Sequence, residues 1–245
     1  MKATPFIFRF RYLIHCVLYF IGFTPWDRIF HFGNGFTTWL VLTEYSAAHH
    51  GLSFQNATIA LLIFGLLCAL AGASIRTWGS ACLGASIVQD HAMHGSRVMA
   101  DGPYRFLRNP LYLGTWLHTF ALALLMPAIG AVIAILTITG LQLVLIASEE
   151  KFLTAKLGQP YLDYKARVPR LLPSLTPRIP ASGAKPAWPL AFISEIYFWG
   201  VFLSFAALGW RYNSLLLTKS IIISLGISII LRALLPKPSS TEPTA

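Results

Sequence analysis

NPLYLGTWLHTFALALLMPAIGAVIAILTITGLQLVLIASEE, residues 109–150, is the stretch whose reading decides the fold. Between Asn109 and the acidic pair Glu149-Glu150 it contains no Asp, Glu, Lys or Arg. A helix crosses the hydrocarbon core of a bilayer in roughly 20 apolar residues, so this run is long enough to cross twice, and Pro127 divides it. The reading is a pair of helices, 110–126 and 128–147, folded as a tight hairpin with its turn at Met126-Pro127. Such a hairpin returns Ser148, Glu149 and Glu150 to the membrane face where Asn109 and Pro110 stand. Pro110 suits the first turn of a helix, where its missing N–H costs nothing.

The rest of the chain agrees with a membrane setting. Of its 245 residues 56% are hydrophobic and 11% charged, and the mean hydropathy is +0.62. That composition excludes an ordinary soluble domain. Further apolar runs fall at residues 57–75, 189–209 and 215–235, with a shorter one at 10–24. The basic start and apolar run of residues 1–24 have the outline of a signal peptide, but no small-x-small cleavage site follows, and Tyr12, His15 and Tyr19 interrupt the run, so a retained helix is expected. Residues 25–56, with Trp26, Phe30, Phe36, Trp39 and the turn Gly33-Asn34-Gly35, suit an interfacial or re-entrant segment. The expected fold is an all-α integral membrane protein with about six transmembrane helices and no Rossmann domain. No strand followed by G-x-G-x-x-G is present.

With six spans, Arg9, Arg11, Arg76, Arg97, Arg105, Arg108, the basic residues from Lys151 to Lys185, Arg232 and Lys237 share one side, against Arg28, Arg211 and Lys219 on the other. The positive-inside bias then makes the first side, and both termini, cytoplasmic. The formal charge of +10 follows from this topology and from anionic headgroups, and needs no nucleic-acid partner. Cys16, Cys68 and Cys82 have no paired spacing and read as small core residues. His49-His50 and His91 with His94 supply too few ligands for a di-iron site, so no metal is expected. The Pro/Ser/Ala-rich stretch 174–188 and the tail 236–245 read as mobile.

Two polar stretches on the cytoplasmic side remain, residues 76–109 and 148–172, and the hairpin makes them neighbours. Glu149 and Glu150 stand near a helix C-terminus, where the dipole disfavours anions, without Lys or Arg at i+3 or i+4. They need a cation or hydroxyl donors from outside their helix, or else they are a solvated acidic pair marking the interface. Arg105 and Arg108 likewise have two readings: site residues, or interfacial arginines snorkelling to headgroups.

The motifs resemble one family. Gly102, Pro103, Tyr104, Arg105, Arg108, Pro110, Tyr112 and Gly114 follow G-P-Y-R-x-x-R-x-P-x-Y-x-G. Glu149, Glu150 and Leu153 follow E-E-x-x-L, and then come Leu157, Gly158, Tyr161 and Tyr164, and finally Arg167, Val168, Pro169, Arg170 and Pro173. In this order the set, over about residues 60–173, is similar to the isoprenylcysteine carboxyl methyltransferase and phospholipid methyltransferase superfamily. The resemblance implies a methyltransferase core over residues 57–173, preceded by an N-terminal span and interfacial segment (1–56) and followed by a C-terminal helical pair (189–235). It also implies S-adenosylmethionine as cofactor, held by Gly102, Pro103, Tyr104, Arg105, Asn109, Pro110, Tyr112, Gly114, Glu149, Glu150 and Tyr161.

Methyl transfer from a sulfonium is an in-line displacement that asks mainly for alignment and exclusion of water. For such a reaction a glutamate can hold the donor's ribose hydroxyls or ammonium, and Arg105 or Arg108 can hold its carboxylate or an anionic acceptor. Tyr104, Tyr112 or Tyr161 flanks the adenine or faces the sulfonium, while Gly102 and Gly114 allow close backbone approach. Arg167 is an anion contact on the acceptor side. Arg108, Arg167 and Glu150 are the candidate catalytic residues. The acceptor implied is lipid-soluble or membrane-associated: an isoprenylcysteine-like carboxylate, a phospholipid amine or a small thiol. The chain departs from the pattern at Asn109, where the family commonly has His; an amide hydrogen-bonds but takes up no proton near neutral pH. The R-x-P-x-Y-x-G turn is also similar to that of the NADPH-dependent membrane sterol reductases, which would need a basic pocket for a 2′-phosphate.

Overall fold

The computed structural model describes residues 5–31, 33, 35–83, 101–183 and 185–234. His91, His94, Arg97 and the tail 236–245 lie outside the described residues. The helices are α1 (Pro5–Arg9), α2 (Arg11–Phe23), α3 (Trp26–Phe30), α4 (Thr38–His49), α5 (Phe54–Leu83), α6 (Pro110–Ala123), α7 (Ala128–Leu157), α8 (Gln159–Arg167), α9 (Trp188–Ser194), α10 (Ile196–Leu208) and α11 (Ser214–Leu234), with 3-10 turns at Gly102–Arg105 and Gly209–Arg211. Among the described residues no strand forms, and an isolated bridge joins Thr37 and Pro127. Three helices, α5, α7 and α11, are long and apolar enough to cross a membrane, and α9 with α10 makes a fourth if the bent pair is one span. The chain folds as an all-α membrane protein. Helices also occupy the other two apolar runs, but α2 has 13 residues and α6 has 14.

The hairpin of residues 109–150 forms with its turn where Pro127 stands, since α6 ends at Ala123 and α7 begins at Ala128. The start of α4 sits on that turn. Thr38 N donates to Met126 O at 2.8 Å and Trp39 N to Leu124 O at 2.9 Å, so the open N–H groups of one helix and the open carbonyls of another satisfy each other. In lipid, helices are drawn together by close contact and hydrogen bonds more than by the hydrophobic effect. Small residues provide that contact. A Cβ on Gly72 of α5 would stand 2.9 Å from Gly114 O of α6, and one on Gly130 of α7 would run into the backbone of Gly22 in α2. α5 is the central helix, packed against α4, α6, α9 and α10, while α7 packs on α6 and α2, and α11 packs on α10. Leu62, Leu122, Met126, Ile138, Phe205 and Leu217 meet in the common core.

Three expectations need correction. The span expected at 57–75 continues to Leu83, and Arg76, expected in the polar stretch after the span, is a buried residue of this helix. Its Nε lies 2.7 Å from Glu195 Oε2 and its Nη2 lies 3.1 Å from Glu195 Oε1. Nη1 donates to Thr115 Oγ1 at 2.8 Å and Leu111 O at 3.1 Å, and the guanidinium stands 4.1 Å from the Phe198 ring centroid. Ser80 donates to the same carboxylate at 2.6 Å. Once the charge is matched in this way, nothing obliges the helix to stop at Arg76. The span expected at 189–209 is broken at Glu195, where α9 and α10 meet at 68°. The linker 174–188 is tied down instead of loose: Ser174 N donates to Phe106 O, Arg178 N to Arg105 O, Arg105 Nε to Ile179 O, and Ala187 N to Ala81 O, all at 2.9–3.0 Å. Asp101 also accepts from the backbone and hydroxyl of Ser182.

Candidate active site

The site is built where α6 begins and α7 nears its end. Gly102 opens the 3-10 turn at φ +54, a conformation that L side chains rarely adopt, and a Cβ there would run into Cys82 and stand 2.8 Å from Trp78. Beyond the turn the chain is fastened to the stretch after α8: Arg108 N donates to Pro169 O at 2.9 Å and Arg108 Nη1 to Lys165 O at 2.6 Å. Tyr164 OH donates to Tyr104 O at 2.9 Å. Burial pushes the Tyr164 and Tyr161 phenols well above their usual range, so both stay neutral, and Tyr164 keeps the proton it donates.

These fastenings bring the arginine-bearing turn against the acidic pair. Asn109 Nδ2 donates to Glu150 Oε1 at 3.3 Å and to Arg170 O at 3.0 Å. Arg108 Nε lies 3.2 Å from the same Oε1, an ion-pair contact without hydrogen-bond alignment. Arg170 Nη2 donates to Glu150 Oε2 at 2.9 Å. Glu150, 3% exposed, therefore has both oxygens taken. Glu149 is held differently, accepting from Tyr112 OH at 3.1 Å on Oε2. The donors that the sequence lacked at i+3 and i+4 come from α6, from the turn before it and from the stretch after α8.

A cavity of about 900 Å³ opens from this cluster. That lies near the top of the range for pockets holding a drug-sized ligand, roughly 300–1,000 Å³. Of the residues singled out in the sequence, Tyr104, Arg108, Asn109, Pro110, Tyr112, Glu149, Glu150 and Tyr161 line it. Gly102, Pro103, Arg105, Gly114 and Arg167 do not. Gly102 and Pro103 form the turn, Arg105 donates to Ile179 O, Gly114 faces Gly72 and Arg76, and Arg167 is exposed on α8. Arg170, three residues further on, occupies the place by Glu150.

The cavity also has walls that the motifs gave no sign of. From α2 come Arg11, Tyr12, His15 and Tyr19; positions 12, 15 and 19 share one helix face, a pattern present in the sequence but drowned by the apolar run. Deeper lie Thr115, His118, Tyr197 and Phe198, with His118 Nε2 3.3 Å from Tyr197 OH. Much of the remaining wall is apolar, from Phe20 and Phe23 of α2 and Ile221, Ile222, Leu225 and Ile229 of α11, where Thr218 and Ser228 add two hydroxyls. Phe20 is 77% exposed and Ile222 and Ile229 are each 61% exposed, although all three line the cavity. The cavity is thus open sideways, between α2 and α11.

A helical membrane protein with a polar-mouthed, apolar-tailed cavity is the class that the fold and the site define. Residues 60–159, from the first third of α5 to the start of α8, match the phospholipid methyltransferase family. This segment includes the turn, both glutamates and the hairpin between them, in agreement with the resemblance read from the motifs. α2, α9, α10 and α11 lie outside it. No curated relative and no solved structure matches the chain.

Proposed function

We propose that the protein is an S-adenosylmethionine-dependent methyltransferase whose acceptor is a lipid-soluble molecule that reaches the site from within the bilayer. The observation that carries this reading is the composition of the cavity: two carboxylates and several tyrosines on one part of its wall, and a largely apolar wall from α2 and α11 whose residues are also exposed on the outside of the bundle. The mouth suits the donor. Glu149 lines the cavity, accepts from Tyr112 OH and has Arg11 as a charged neighbour, and a carboxylate there suits an ammonium or ribose hydroxyls. Tyr104 and Tyr161 offer aromatic surface to an adenine or a sulfonium.

When bound, the donor supplies the activated methyl group. The chain's own part is to hold both reactants in line and keep water out. Glu150 is saturated by Arg108, Asn109 and Arg170, so its role is to position: it fixes Arg108 on the cavity wall and ties the RVPR stretch to α7. Asn109 acts in the same way, because both N–H groups of its amide are engaged. This task needs no proton uptake and explains how Asn serves where the family commonly has His. Arg108, with one nitrogen turned to Lys165 O and another to Glu150, borders the cavity as a cation for the donor's carboxylate. The gathering of Arg105, Arg108, Lys151, Lys165, Arg167 and Arg170 around this end supports a cytoplasmic-facing mouth, and the helices in all six apolar runs support six passes.

The test is incubation of membranes containing the protein with S-adenosylmethionine labelled in its methyl group, followed by separation of lipid, protein and volatile products. Label is expected in the organic-extractable fraction, and loss of transfer in Glu149→Gln and Arg108→Ala while both proteins remain inserted. Transfer that survives in both variants, or label in no fraction, would overturn the assignment.

A further inference from the structure

Between α7 and the chain that follows it lies a second, shallower hollow of about 350 Å³, lined by Glu150, Lys151, Thr154, Lys165 and Arg170. Glu150 belongs to both hollows and forms part of the wall between them. Its charge is already matched by Arg108 on one side and Arg170 on the other. Three basic residues from three elements border the hollow, Lys151 on α7, Lys165 on α8 and Arg170 beyond α8, and most of the surface they give it is aliphatic. Arg170 gives Nη2 to Glu150 and is 44% exposed along its side chain, so it has further donors to offer outward.

The height of the hollow narrows its ligand. α7 has 30 residues, about 45 Å at 1.5 Å per residue, against roughly 30 Å of hydrocarbon. Counted from the turn at Pro127, its last turns, which carry Lys151 and Thr154, stand at headgroup level. The anion found at that level is phosphate, which a fork of guanidinium donors and two ammonium groups recognises well. Aliphatic lysine stems and the small residues Ala147 and Ala155 complete the lining, as suits a group resting at the edge of the hydrocarbon.

We propose that this hollow binds a phosphate group, with the headgroup of an anionic membrane lipid as its source. A phosphate held by Lys151, Lys165 and the outer edge of Arg170 orders the arginine that grips Glu150, and so steadies the cluster at the mouth. The effect on the mouth rests on the proposed function; the binding itself does not.

The experiment uses the purified full chain in neutral detergent, with lipid adducts counted by native mass spectrometry. Dioleoylphosphatidylglycerol is expected to bind and dioleoylphosphatidylcholine to bind much less. Lys151→Ala/Lys165→Ala is expected to weaken phosphatidylglycerol binding about 30-fold, from about fivefold per basic residue. The control Arg178→Ala/Lys185→Ala, which removes the same charge from exposed positions elsewhere, should leave it within twofold. Displacement by millimolar inorganic phosphate would keep the site and assign it to free phosphate; failure to displace keeps it for the lipid. Equal binding of the two lipids, or equal loss in the two double variants, would overturn the proposal.

Discussion

Two buried ionic clusters hold this molecule together, and they are built on opposite terms. In the interior, Arg76 and Glu195 face each other in two contacts of 2.7 and 3.1 Å, with Ser80, Thr115 and a carbonyl absorbing what remains. At the mouth, Glu150 is shared by two arginines and an amide, while its neighbour Glu149 borders the cavity and among the described residues accepts from one hydroxyl, with Arg11 as a charged neighbour. In the first cluster the charges match each other directly, although Arg76 and Thr115 also border the cavity, and it joins the family-matched α5 to the C-terminal helices. The second has an open side. Closure is what a structural ion pair needs in a medium of low dielectric, and an incomplete shell is what a ligand needs.

The comparison can be broken most forcefully from inside. Glu195→Gln leaves Arg76 charged and unmatched within the bilayer, and a loss of about 3–5 kcal/mol is expected, read as a fall in the folded fraction by fluorescence-detected size exclusion in detergent. The double change Arg76→Met/Glu195→Leu should recover most of that loss, since apolar replacements of a buried pair are often neutral. Recovery would show that the pair is a fastening, and continued unfolding would mean that the two residues do more than neutralise each other. Gly114→Ala comes next. Its Cβ would press on Arg76 and on Gly72 O, at 2.9 Å from the latter, so about 1–3 kcal/mol of destabilisation is expected from overpacking, measured as a lower melting temperature.

At the mouth the expected effects fall on binding. Asn109→Ala removes the amide that bridges Glu150 and Arg170 O, leaving the direct contact from Arg170 to Glu150. About 1–3 kcal/mol is expected to go from the local fastening, visible as faster proteolysis after Arg167 or Arg170 with the helical core intact. Tyr112→Phe is the mildest change. It takes the single donor from Glu149, and melting should stay within about 1 kcal/mol of wild type while donor affinity shifts severalfold.

The mouth was legible in the sequence because its parts are short, contiguous and set at both ends of one apolar hairpin. A proline in an uncharged run of that length fixes which residues meet, so Arg108, Asn109 and Glu150 could be placed together from order alone. The interior pair left no such trace. Arg76 and Glu195 are 119 positions apart, each near the edge of an apolar run, and a charge at an edge reads as the end of a span. Only the partner shows that the helix continues past it. Arg167 and Arg170 teach the same lesson at smaller scale: the motif contains both, and the direction in which the chain leaves α8 decides that the second one reaches Glu150. The walls from α2 and α11 were hidden because lining a cavity and facing lipid call for the same apolar side chains.

The central claim is that the open carboxylate at the mouth receives a methyl donor, and equilibrium binding of S-adenosylmethionine to the purified protein by isothermal calorimetry tests it most directly. Wild type should bind. Glu149→Gln should bind at least about tenfold more weakly, from the loss of roughly 1.5–3 kcal/mol in hydrogen bonds to a charged group, with its melting temperature unchanged. Equal affinity in the two proteins, or no binding to a wild type shown to be folded, would contradict the account.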